Sequence, residues 1–135
     1  MRFVDTNVLL YSISTDPSET TKRDIADAIL VARDLVLSAQ VLQEFYVQAT
    51  RVTRSNHLEG EAAARLVDSY TRYPIVPLTS DLVSAAMAAQ RRYRISYWDA
   101  AIIEAARALG CTHVLSEDLS DGQDYGGVRV TNPFR

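Results

Sequence analysis

The chain has 135 residues, 47% hydrophobic and 23% charged, with 5 glycines, 4 prolines and a single cysteine. That is enough for one domain with its own core, and it excludes an intrinsically disordered, collagen-like or disulfide-stapled chain. With 14 Lys plus Arg against 17 Asp plus Glu, the net charge of −3 excludes a strongly basic nucleic-acid binder but leaves room for a local basic stripe.

Arg2-Phe3-Val4 reads as a short strand running straight into Asp5. The polar stretch Ser14 to Ser18, with Pro17 near the first turn, caps a helix whose stripe is Ile25, Ala28, Ile29 and Ala32. Leu35 to Ser38 is a buried strand. Val41, Leu42, Phe45, Ala49 and Val52 then recur at helical spacing. His57 to Tyr73 predicts a further helix, with Ala62, Leu66, Val67 and Tyr70 on its apolar side. Ile75 to Leu78 is a strand that Pro77 assigns to an edge or an end. Ser80 caps the helix carrying Leu82, Val83, Ala86, Ala89 and Tyr93. Tyr97 to Leu109 is a helix stopped by Gly110 at C′. His113 to Ser116 and Val128 to Val130 are the last strands.

Short apolar strands alternating with helices of about three turns predict an α/β domain around a mostly parallel sheet. No repeat or linker divides it, so residues 1–135 form one domain. No apolar run of about 18 residues is present, so no membrane span is expected. Met1 to Asp5 meets an acid too early for a secretory signal, and the lone Cys111 fits a reducing compartment; a cytoplasmic location is expected.

In a sheet of this kind ligands sit beyond the carboxyl ends of the strands, where strand order reverses. The residues that follow the strands are acids. Asp5 ends the first strand, Glu44 borders the buried face of the helix after the second, Asp99 begins the helix at Trp98, and Glu117 and Asp118 follow the strand from His113. Any one of these is explained by capping or an Asx turn. Four acids at one end of one sheet, with no evident lysine partner, need a positive charge to offset their repulsion. Oxygen-only ligands suit Mg²⁺ or Mn²⁺, and the isolated His57, His113 and Cys111 do not make a zinc site. Carboxylate-held Mg²⁺ suits phosphodiester hydrolysis, because the ion lowers the pKa of a bound water and shields the phosphate.

The motifs that carry these acids are similar to those of a known family. Asp5-Thr6-Asn7-Val8-Leu9-Leu10 resembles the opening signature of PIN domains, the metal-dependent ribonuclease fold. Glu44, in Leu42-Gln43-Glu44-Phe45-Tyr46, matches the family's second acid. Tyr97-Trp98-Asp99-Ala100-Ala101-Ile102 resembles its third motif, and Leu115-Ser116-Glu117-Asp118-Leu119 the fourth. With Asn132-Pro133-Phe134, the resemblance spans essentially the whole chain and points to the VapC-type toxins of toxin–antitoxin pairs. It implies a three-layer α/β/α fold, RNA cleavage, a homodimer, and a cognate antitoxin that inserts its tail near the acids. It places metal ligands at Asp5 and Asp99, completed by Glu44 and Asp118, with Asn7 and Ser116 as supporting polar residues. Of the adjacent Glu117 and Asp118 the motif favours Asp118, and Asp121 lies outside the core set.

Trp98 and Tyr97 are expected to pack and orient their helix, Tyr70, Tyr73 and Tyr93 to fill core or dimer contacts, and Tyr11 and Tyr46 to line the approach to the site. Two arginine clusters, Arg51 with Arg54 and Arg91, Arg92 with Arg94, read either as solvated helix ends or as a grip on a polyanion or acidic partner. A receiver-like domain would need a lysine near the last strand, but the one lysine, Lys22, is early. A haloacid-dehalogenase-type phosphatase would want an acid where Asn7 stands. Neither phosphate-binding glycine fingerprint occurs. A flap-type nuclease needs a longer chain. A non-catalytic RNA- or protein-binding module of the same fold is the alternative that remains.

Overall fold

The computed structural model describes residues 1–135. Six strands form one sheet: β1 (Arg2–Val4), β2 (Leu35–Ser38), β3 (Ile75–Val76), β4 (His113–Leu115), β5 (Asp124–Tyr125) and β6 (Val128–Thr131). Their order across the sheet is β3-β2-β1-β4-β6-β5, and every pairing is parallel except β5 with β6. The six helices are α1 (Thr6–Ser12), α2 (Thr20–Leu30), α3 (Ala39–Ala49), α4 (Gly60–Tyr70), α5 (Ser80–Tyr93) and α6 (Tyr97–Ala108), with a 3₁₀ turn at Pro17–Glu19.

The chain steps outward from β1 to β2 to β3, then returns past β1 to β4. By the right-handed rule for parallel crossovers, this order puts α1 to α4 on one face and α5 with α6 on the other. The contacts agree: α1 packs on α2 and α3, α3 on α4, and α5 on α6. This is the expected α/β/α sandwich. Central strands covered on both faces have no polar side, and all four residues of β2 are buried. Phe3, Leu9, Leu35, Phe45, Ile103 and Val114 are fully buried in a single core.

Several local expectations are corrected. Helix α1 was not anticipated: it begins directly at Thr6, because the Asp5 side chain accepts the Thr6 N–H at 2.7 Å and caps it. In α2 it is Ala26 that is buried, while Ala28 is exposed and Ala32 lies past the helix end. Val52 is 79% exposed beyond the end of α3. The expected helix from His57 starts only at Gly60 and stops at Tyr70. Strand β3 ends before Pro77, and Thr79, not Ser80, caps α5 by accepting from the Leu82 N–H. The two-residue β5 was also not foreseen. Gly110 follows α6 with φ +71°, as expected of a C′ glycine. Trp98 does not pack inside: it is 65% exposed, touched edge-on by Tyr97 at 5.0 Å. Tyr70 and Tyr73 are buried as expected, Cys111 is buried as well, and Tyr73 is anchored by its hydroxyl to the Leu30 carbonyl.

Candidate active site

Strand order reverses between β1 and β4, so the chain leaves these neighbouring strands in divergent directions and opens a crevice at their carboxyl ends. Asp5 lies at the end of β1 and Ser116-Glu117-Asp118 at the end of β4. The Asp5 N–H donates to the Leu115 carbonyl at 3.0 Å, which fixes the two strand ends in register.

Asp5 is buried, with 7% of its surface exposed. One oxygen accepts from the Thr6 N–H; the other accepts from the Ser116 hydroxyl at 2.7 Å. Burial pushes its pKa up to about 6. The two hydrogen bonds pull the other way, and the charges of Glu44 and Asp118 add to the rise. Glu44, in the second turn of α3, accepts from the Thr6 hydroxyl at 2.7 Å and from Gln40 Nε2 at 2.9 Å. Asp99 sits in the first turn of α6, where its N–H donates to Ser96 Oγ, the capping side chain. Its pKa is raised, first by burial and then by Asp118 and Glu44, against a lowering contact with Ser96. Asp118 accepts from Asn7 Nδ2 at 3.0 Å, and Ser116 Oγ accepts from the Asp118 N–H at 3.1 Å.

The four predicted acids thus come together from four separate segments. Asp5 and Asp99 each feel the charges of Glu44 and Asp118, and none of the four takes part in a salt bridge. They are near one another but not closed round one point: no three His, Cys, Asp or Glu side chains lie close enough together to hold a metal ion as they stand. The chemistry of the donor set nevertheless fits a hard divalent cation. It offers oxygen ligands only, several of them already oriented by hydroxyl and amide donors, with no cationic side chain neutralising them.

Asn7 and Ser116 are each hydrogen-bonded to an acid of the set, Asn7 to Asp118 and Ser116 to Asp5. Glu117 points elsewhere. It accepts from Lys22 Nζ at 2.6 Å and from the Tyr11 hydroxyl at 2.5 Å. Burial would raise the Glu117 pKa, but Lys22 and Tyr11 outweigh it and hold it below the usual carboxylate range. The single lysine therefore does have an acid partner, one outside the four. Asp121 is likewise occupied, accepting from the Asn132 N–H and from Arg135. Thr6, which orients Glu44, was missed; its position between Asp5 and Asn7 is the only trace of it in the sequence. Tyr11 lines the cleft with Asn7, Asp118 and Arg54, whereas Tyr46 is on the outer surface of α3. Arg91 and Arg92 occupy the last turn of α5, where they complement the helix dipole, and Arg92 also stacks on Tyr93.

The family model described as PIN domain matches residues 2–120. No curated protein matches the chain by sequence. Among solved structures, the chain is similar to VapC20 of Mycobacterium tuberculosis, a sarcin-ricin-loop-cleaving toxin, with TM-score 0.67 and 20% identity over 87% of this chain and 92% of that one. It is similar to a toxin–antitoxin complex from Klebsiella pneumoniae, with TM-score 0.69 and 18% identity over 98% of each chain. It also resembles the DNA-bound VapBC of Salmonella typhimurium, with TM-score 0.68 and 17% identity over 98% of this chain and 97% of that one.

Proposed function

Since this chain belongs to the PIN domain family, we propose that it is an endoribonuclease dependent on Mg²⁺ or Mn²⁺ and the toxin of a VapC-type toxin–antitoxin pair. The observation that carries this reading is the convergence of Asp5, Glu44, Asp99 and Asp118 at the crevice between β1 and β4 with no cation to balance them.

In this reading Asp5 and Asp99 hold the ion first, and Glu44 and Asp118 complete the set. A divalent cation there supplies a lowered water pKa and charge shielding for the phosphate. The chain's own part is to keep the ligands in place. Ser116 holds Asp5, Thr6 and Gln40 hold Glu44, Asn7 holds Asp118, and the Ser96 cap sets the turn that carries Asp99. The burial that raises the Asp5 pKa also excludes the water that would weaken its hold on a cation.

The toxin–antitoxin assignment draws on the names of the structural neighbours. It gains support from a partly exposed apolar groove on the outer side of α3, made by Leu42, Tyr46 and Val47 with Val67 of α4, on which an antitoxin segment has room to lie. In this reading the protein acts on RNA as a homodimer and is silenced by that partner.

The test is RNA cleavage by the purified chain, free of antitoxin, in Mg²⁺, Mn²⁺ and EDTA, with Asp99→Asn in parallel. Metal-dependent cutting lost in the variant is the expected result. Cutting that survives Asp99→Asn refutes the site assignment. No cutting of total cellular RNA in either metal favours a non-catalytic binding module.

A further inference from the structure

We propose that Arg54 is a phosphate-binding residue of the RNA cleft, gripping a backbone phosphate of the bound strand next to the carboxylate centre. The proposal rests on the ribonuclease reading and deepens it by naming a residue that touches substrate.

Arg54 lies in the loop between α3 and α4 and is half-buried. It lines one cleft with Asn7, Leu10, Tyr11, Glu19, Glu117 and Asp118, so it borders the acid centre on the Asp118 side. It also lines the adjoining polar groove of Ser14, Thr15, Asp16 and Asn56, which makes it the residue common to both depressions on this side along with Glu19.

Its charge is not spent within the fold. No carboxylate is within salt-bridge distance of its guanidinium. Its single side-chain hydrogen bond is a long one, Nη2 to the Leu10 carbonyl at 3.4 Å. A guanidinium carries five donors, so most of this fork is uncommitted. What sets Arg54 apart from the equally uncommitted surface arginines is its place in this cleft, and the arginines that the fold does commit show the contrast. Arg107 is tied to Glu104 and to the Tyr125 and Gly126 carbonyls, and Arg2 forms a two-pronged pair with Asp34. Lys22, the other cation near the cleft, is committed to Glu117. Glu19 is engaged as well, accepting from the Ser14 hydroxyl at 2.6 Å.

A polyanion approaching four carboxylates meets repulsion, and a cation at the edge of the cleft offsets it where the strand must pass. An arginine fork suits a phosphate's two oxygens better than a lysine's point charge does. Such a contact recognises the backbone and carries no sequence information.

The experiment compares the parent chain with Arg54→Ala, Arg54→Gln and Arg54→Lys. Binding of a fluorescein-labelled, mixed-sequence single-stranded RNA is read by anisotropy over a salt series. It is measured in the Asp99→Asn background so that no strand is cut. Cleavage kinetics are read with Asp99 intact. Arg54→Ala and Arg54→Gln are expected to weaken binding about tenfold and to lower the slope of log K against log salt by about 0.7. KM should rise about tenfold with kcat changed less than about twofold, the signature of lost uniform binding. Arg54→Lys keeps the salt slope because it keeps the charge. Unchanged affinity and slope in both neutral variants overturn the proposal, as does a fall in kcat at unchanged affinity, which marks a merely structural loop residue. A parent that cuts no RNA sinks the ribonuclease reading by itself. The salt slope then still decides Arg54: a slope that falls in the neutral variants upholds the phosphate contact, and one that does not overturns it.

Discussion

The Ser116 hydroxyl donates to the buried carboxylate of Asp5 at 2.7 Å, bridging the ends of two adjacent parallel strands across 111 positions of sequence. The same oxygen accepts from the N–H groups of Asp118 and Leu119. Ser116 thereby fixes one acid directly and shapes the turn that presents another. Ser116→Ala leaves those groups short of a partner in a site with no exposed surface at residue 116. A stability loss of about 1–3 kcal/mol is expected, read from urea unfolding. RNA cleavage should fall as well, and a fully active, equally stable variant would contradict the role given to this bond.

Asp5 sets a pH dependence in the metal-free protein. Its folded pKa of about 6 lies above the ordinary 3.8, so the folded state binds its proton more tightly than the unfolded chain does. The stabilisation is full below pH 3.8 and is lost as pH rises through about 6. The loss amounts to at most about 3 kcal/mol. Asp5→Asn removes this slope. In EDTA its melting temperature should exceed the parent's above pH 6, and the difference should shrink towards pH 4. Glu117 and Asp34, whose pKa values are lowered, lose their contributions at lower pH and so act in the opposite sense. A constant difference between variant and parent across this range would show that Asp5 does not carry the raised pKa.

Metal should reverse that balance. A cation held by the four acids binds the folded state alone, so Mg²⁺ or Mn²⁺ should raise the melting temperature of the parent in a concentration-dependent way. Asp5→Asn and Asp99→Asn should respond weakly or not at all. A rise of equal size in all three proteins would place the ion elsewhere.

Glu117 and Asp118 are neighbours in sequence with opposite fates. Glu117 is paired with Lys22 and accepts from the Tyr11 hydroxyl, while Asp118 faces Asn7 and the other acids. Asp118→Asn should reduce RNA cleavage by at least about a hundredfold, a loss of about 2.7 kcal/mol in transition-state stabilisation. Glu117→Gln should stay near the parent, because this side chain is turned to Lys22 and Tyr11 and not to the four acids. The two kcat/KM values, measured side by side, decide which acid belongs to the site.

Phe45 follows Glu44 on α3, fully buried with its ring edge against Tyr70 at 5.2 Å. Phe45→Ala should cost about 3–5 kcal/mol, a large share of a domain's stability. Loss of cleavage in that variant should follow loss of folded protein in circular dichroism.

The sequence by itself determined the five parallel strands of the sheet and which acids stand beside them. Apolar runs such as Leu35 to Ser38 become central strands because only residues without polar groups are tolerated between two helical layers. The carboxylates after β1 and β4 stood out because ionised groups beside such runs demand an explanation. Helix α1 was hidden because seven residues are too few for a 3.6-residue period to show, and because Asp5 reads equally well as a strand end and as a cap. The tertiary structure alone decided what touches the acids. Thr6 on Glu44, Ser116 on Asp5 and Lys22 on Glu117 join residues 38, 111 and 95 positions apart. No local propensity or periodicity encodes such pairings; they arise when parallel strands on either side of a reversal bring their loops together. The same holds for Arg54, which reads in sequence as one of two arginines at a helix end, and which the packing of the α3–α4 loop against α1 sets at the rim of the carboxylate cleft.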